Sequence, residues 1–146
     1  MGIRAVAVPH TEVVAEDLIG LQERLLRAVN AREVPQGLLA PGFSMQQSIT
    51  SATDYAYHGA DGWRDWLNDI FEFFGNDTHC ELVEVPLVGA DFVVATVRLT
   101  GRSALSNSEL ELQWTSVTRF RDGLAIAAAA FATPDEALTS LDAIAG

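Results

Sequence analysis

The stretch Phe120-Arg121-Asp122-Gly123-Leu124-Ala125-Ile126-Ala127-Ala128-Ala129-Ala130-Phe131-Ala132-Thr133-Pro134-Asp135-Glu136 holds the choice between two folds. Its alanines favour helix over strand, and a helix from Leu124 through Leu141 is one reading. The flanks support the other. Asp122-Gly123 is a two-residue hairpin signal. Thr133-Pro134-Asp135-Glu136 reads as a helix start, with Thr at the cap, Pro where its missing N–H costs nothing, and Glu closing a capping box. On that reading Leu124 to Ala132 is a strand whose small side chains let something pack closely on it. A short helix then runs from Pro134 to about Ala143.

Upstream of the alanines the pattern is that of an antiparallel meander. Glu109 to Arg121, Phe92 to Thr100 and His79 to Val88 read as strands, separated by Gly101 with a polar loop and by Gly89-Ala90-Asp91. Phe43 to Ile49 reads as a first strand, with Phe43, Met45, Gln47 and Ile49 on one face, and Ser51 to Tyr57 as a polar, turn-rich segment. Two amphipathic helices precede the meander. From Thr11 to about Ala31, apolar residues fall at Val14, Leu18, Leu21, Leu25, Ala28 and Val29, a spacing of threes and fours. From Ala60 or Asp61 to Phe74, the residues Trp63, Trp66, Leu67, Ile70, Phe71 and Phe74 make a wide apolar face that Gly75-Asn76-Asp77 ends. A turn or short helix at Gln36 to Leu39 fits between Pro35 and Pro41-Gly42. Helices grouped against one face of an antiparallel sheet make an α+β fold.

The chain of 146 residues is sized for one core. Residues 1–10 read as a flexible N-terminal arm and 11–146 as a single domain. The formal net charge is −11, and all nine basic residues are Arg. With no Lys there is no internal Schiff base and no P-loop. The acidic balance opposes binding to nucleic acid or to anionic membranes. No apolar run is long enough to span a bilayer, and the opening Met1 to Pro9 lacks the features of a secretory signal. The single Cys80 fits a reducing compartment, so the expected location is cytoplasmic.

Three stretches carry a family resemblance. Tyr57-His58-Gly59-Ala60-Asp61-Gly62-Trp63-Arg64-Asp65-Trp66 resembles the opening of the second main helix of the SnoaL-like branch of the nuclear transport factor two-like superfamily. Phe120-Arg121-Asp122-Gly123 resembles its hairpin before the last strand, and Phe131 to Leu138 its closing segment. The resemblance implies a cone-shaped, curved antiparallel sheet with helices on its concave face enclosing a pocket, and a homodimer through the convex face. It also implies an activity like those of polyketide cyclases, isomerases or dehydratases, none needing a cofactor. The chain departs from the family's catalytic patterns at two places. Pro41 to Gln47 holds no acid where the isomerases carry their base, and Arg98-Leu99-Thr100 lacks the Asp of the epoxide-hydrolase relatives.

The candidate ligand-binding residues are Tyr57, Trp63, Trp66, Trp114, Gln47 and Gln113. Flat rings suit an apolar cyclic or polyketide-like molecule, and amides suit its carbonyls; ordinary core packing is the alternative for each ring. The candidate catalytic residues are His58, Tyr55, Asp54 and Glu84. His58 has a pKa suited to proton transfer, with Asp54 to orient it, and alternation puts Glu84 on a face with Leu82 and Cys80. Pairing with Arg98 or Arg119 is the alternative for Glu84 and Glu111. His79-Cys80 is no metal site, since strand neighbours point to opposite faces. Three functions follow: a cofactor-independent cyclase or isomerase, a non-catalytic binding module for an apolar metabolite, and a dimerising domain with a vestigial cavity.

Overall fold

In the computed structural model the structure describes residues 5–7, 12–35, 37–47, 56–75, 77–103 and 105–145. The elements run β1 (Ala5–Ala7), α1 (Glu12–Asn30), β2 (Leu39–Gln47), β3 (Ala56–His58), α2 (Gly59–Phe74), β4 (His79–Val88), β5 (Phe92–Arg102), β6 (Glu109–Arg121), β7 (Leu124–Phe131) and α3 (Pro134–Ala145). The alanine run is therefore a strand. Asp122 (φ 53°) and Gly123 (φ 78°) make the tight turn before it, a pair of positive-φ positions that twists with the flanking strands. At its far end the Glu136 N–H donates to Thr133 Oγ1 at 3.2 Å, half of the expected capping box.

One sheet carries all the strands in the order β1-β4-β5-β6-β7-β2-β3. From β4 to β7 it is the antiparallel meander that the turns foretell. Its edges make it mixed: β2 runs parallel to β7, and β1 parallel to β4. Both parallel partners lie far apart in sequence, so no hairpin turn dictates their direction. The segment Ala5–Ala7, part of the expected arm, is a short edge strand. The expected polar stretch before α2 ends in β3, which pairs with β2 through Ser44↔His58, Met45↔Tyr57 and Gln46↔Ala56. Strand β2 begins earlier than its Pro41-Gly42 suggests, because the register slips between Leu39 and Ser44, the kind of irregularity at which a strand tolerates Pro.

The two faces of the sheet carry separate cores. Val93, Ala95, Val97, Leu99, Trp114 and Phe120 lie on the concave side and pack with Leu18, Leu25 and Val29 of α1 and Trp63, Trp66 and Leu67 of α2. Val94 and Val117, one residue out of step, pack instead with Ala137 and Leu138 of α3. The third helix thus covers part of the convex face, while α1 and α2 cover the concave one. Register slips along β4, between Leu82 and Glu84 and between Glu84 and Leu87, curve the sheet, since a bulged strand bends and gains twist.

Candidate functional site

The hollow between the concave face and the two long helices is lined from every side. Gln22, Leu25, Leu26 and Val29 come from α1, Trp63 and Trp66 from α2, and Phe43 and Met45 from β2. The sheet adds Cys80, Val97, Trp114, Ser116 and Thr118, with Ala128 to Ala130 of β7 as a floor. The small side chains of β7 let Trp114 and Met45 share the space above them. The hollow is partly open, and its volume is about 60 Å³, room for about five water-sized spheres. The rings themselves fill the cone: Trp63 stands edge-on to Trp66 at 5.2 Å and tilted to Phe43 at 6.2 Å.

Three of the residues singled out from sequence meet here, Trp63, Trp66 and Trp114, all buried. Trp63 Nε1 donates to the Glu33 carbonyl at 3.0 Å, which anchors that ring. Trp66 and Trp114 make no hydrogen bond among the described residues. Gln47 pairs through its backbone with Ala130, a cavity residue; its side chain, like all of Asp54 and Tyr55, lies outside the described residues.

The remaining candidates lie elsewhere. Tyr57 shares the inward row with Met45, but its hydroxyl donates to Asp69 Oδ2 at 2.7 Å, tying β3 to α2. His58 pairs with Ser44, one step out of phase with Met45, and is exposed at the start of α2 without capping it. Glu84 is on the outer face. The extra residue at Val83 breaks the alternation that would place it with Leu82 and Cys80: Leu82 pairs with the inward Val97, whereas Glu84 pairs with the outward Thr96. Gln113 is exposed opposite Arg98. Arg98 Nε donates to Glu81 Oε1 at 2.6 Å and lies 3.6 Å from Glu111, so it is paired across strands on the surface.

Gln22 and Cys80 are among the lining residues that the sequence did not single out. Gln22 is 5% exposed, and its Oε1 has no hydrogen-bond partner. Its position follows Leu18 by four and precedes Leu25 by three, so the helical period marks it as inward despite its polarity. Cys80 is buried, and desolvation, with a smaller contribution from the Glu81 charge, pushes its thiol from 9.0 up to about 12. It is thus a protonated, apolar wall near neutral pH. Among the described residues no carboxylate or imidazole lines the hollow, and no cluster of His, Cys, Asp and Glu is arranged to hold a metal ion.

Comparison with known proteins agrees with this architecture. Residues 23–128 match the family model described as the SnoaL-like domain. A candidate SnoaL-like polyketide cyclase from Jannaschia sp. CCS1 superposes with a TM-score of 0.65 at 19% identity, covering 87% of this chain and 92% of its own. For a candidate polyketide cyclase from Bacillus cereus ATCC 10987 the values are 0.71, 14%, 97% and 92%. For wild-type IdmH, a candidate polyketide cyclase from Streptomyces antibioticus, they are 0.67, 17%, 85% and 97%. No curated protein matches the sequence. At these identities the structural likeness speaks for the fold.

Proposed function

This chain belongs to the SnoaL-like domain family, and on that footing we propose that it is a binding module whose hollow takes an apolar ring compound bearing one hydrogen-bonding group. The observation that carries the reading is the chemistry of the lining. Tryptophan, Phe43, Met45, valine, leucine and alanine surround one amide whose oxygen has no partner, and the only ionisable wall group described is a thiol that stays protonated. General acid–base catalysis needs a group that exchanges a proton near the working pH, and none of the described lining residues offers one. Binding needs only apolar area and a few placed polar groups. The Gln22 amide oxygen supplies an acceptor, while the Ser116 hydroxyl already donates to the Ala95 carbonyl at 3.4 Å.

The hollow is smaller than the roughly 300 Å³ at which ligand pockets begin. Uptake of a ring compound therefore requires Trp66 or Trp114, which have no hydrogen-bond tether among the described residues, to turn aside. This gives the reading an optical signature. Titration with the neutral probe N-phenyl-1-naphthylamine should quench and shift the tryptophan emission with one-to-one stoichiometry, and native mass spectrometry should show the same complex. Absence of uptake by both measurements overturns the proposal.

The cyclase-like alternative draws on the relatives' names and on Asp54 and Tyr55, just ahead of β3. Asp54→Asn separates the two readings: a binding module keeps its probe affinity and shows no turnover to lose.

A further inference from the structure

A larger, open concavity lies between the second half of α1, the segment 31–38 that follows it, and α2. It measures about 1010 Å³, and Arg24, Arg27, Arg32 and Arg64 line it. These are four of the nine basic residues in a chain of net charge −11. Between them lie the half-buried Val34 and Phe71, over the buried Ala28, Pro35, Leu38 and Leu67. We propose that this groove is a second binding site, for an organic anion with an apolar body, of the aryl or acyl carboxylate, sulfonate or phosphate class.

The arrangement of the arginines carries the argument. Arg24 and Arg27 sit three apart on one face of α1, so their like charges repel each other. Neither makes an ion pair among the described residues, although the chain holds 20 acids against 9 bases. Glu23 stands four residues before Arg27, at pairing distance in sequence, yet forms no bridge with it. Arg27, in the last turn, gains from the negative end of the helix dipole; Arg24 lies almost a turn earlier, where that field has faded. The fold thus keeps a like-charge pair with no acidic partner among the described residues.

The other two cations are positioned rather than loose. The Arg32 guanidinium lies 3.9 Å over the Phe71 ring, which holds it in place. Arg64 bridges to Asp61 at 3.1 Å, which fixes one edge of its guanidinium. Glu33 is the single acid in the lining among the described residues. An anion whose body lay against the half-buried Val34 would reach the Arg24–Arg27 pair with its charged head, and guanidinium forks suit planar oxyanions. Elsewhere the strongly acidic surface repels such a molecule, which concentrates its binding here.

The test uses the full chain and two related dyes. Anilinonaphthalenesulfonate is the anion, and N-phenyl-1-naphthylamine is its neutral counterpart. The anionic dye should bind with an affinity that falls as potassium chloride rises. The double substitution Arg24→Gln/Arg27→Gln, on exposed helical positions, should weaken it about tenfold while leaving far-ultraviolet circular dichroism unchanged. The neutral dye should neither displace the anion nor respond to the substitution. Unchanged affinity in the double variant, or one-for-one displacement by the neutral dye, overturns the proposal. Loss of neutral-dye uptake alone counts against the hollow and not against the groove.

Discussion

Gln22 concentrates the residue-scale argument. A buried amide oxygen without a partner costs about 1–3 kcal/mol, and the fold retains one in its most apolar space. Replacing it by Leu removes that cost, so Gln22→Leu should melt no lower than the wild type in a thermal scan. The same change should erase a preference for 1-naphthol over naphthalene, about fivefold in the wild type if one hydrogen bond contributes about 1 kcal/mol; fluorescence titration reads it. Cys80 makes a second prediction. Its thiol is raised from 9.0 to about 12 in the folded chain, so folding favours its protonated form. That contribution is complete below pH 9 and is lost as pH climbs towards 12. Urea unfolding at pH 10.5 against pH 8 should show a larger loss for the wild type than for Cys80→Ala, and iodoacetamide should label Cys80 only after unfolding. At this scale the inward placement of the three tryptophans was legible because large rings recur at helical and strand spacing. The places of His58 and Glu84 were not, because each depends on which partner residue it faces.

Elements meet through a few polar clamps. Asn30, the last residue of α1, grips the edge of β4 with both ends of its amide. Its Nδ2 donates to the Cys80 carbonyl at 2.8 Å, and its Oδ1 accepts the Cys80 N–H at 2.7 Å. Asn30→Ala leaves both backbone groups unpaired and should cost about 1–3 kcal/mol in urea denaturation. Gly62 governs the contact between β3 and α2. A Cβ there would come 2.7 Å from the Tyr57 carbonyl carbon, which is backbone and cannot swing away. Ala is favoured over Gly inside a helix by about 1 kcal/mol, yet this collision should outweigh it, so Gly62→Ala should lower the melting temperature. A rise instead would show that β3 yields. The elements themselves were readable from periodicity, caps and the Asp122-Gly123 turn. The slips in β4 were not, because no residue type announces an extra residue in a strand whose neighbour is unknown.

Across the whole molecule the sheet divides apolar from charged surroundings. Its concave side holds the main core and the hollow, and its convex side is shared between α3 and a band containing Glu81, Glu84, Arg98, Glu111 and Gln113. Among the described residues no helix is long and apolar enough to cross a membrane. A homodimer through the convex face, which the family resemblance implies, would rest there on ion pairs and hydrogen bonds more than on apolar burial. Its expected mark is a monomer–dimer equilibrium that moves towards monomer at high salt in light scattering; a mass indifferent to salt would assign any contact to another surface.

By itself the sequence determined the number and type of the main elements, the antiparallel run from β4 to β7 and the aromatic character of the hollow. All of these follow from local spacing, turn chemistry and side-chain size, which act over a few residues. The tertiary structure alone decided that β2 lies parallel to β7, that Glu84 turns outward, that Gln22 is stranded inside and that four arginines gather beside the helix pair. Each of these is a relation between segments distant in the chain, and a register shift of one residue reverses the face on which every following side chain stands.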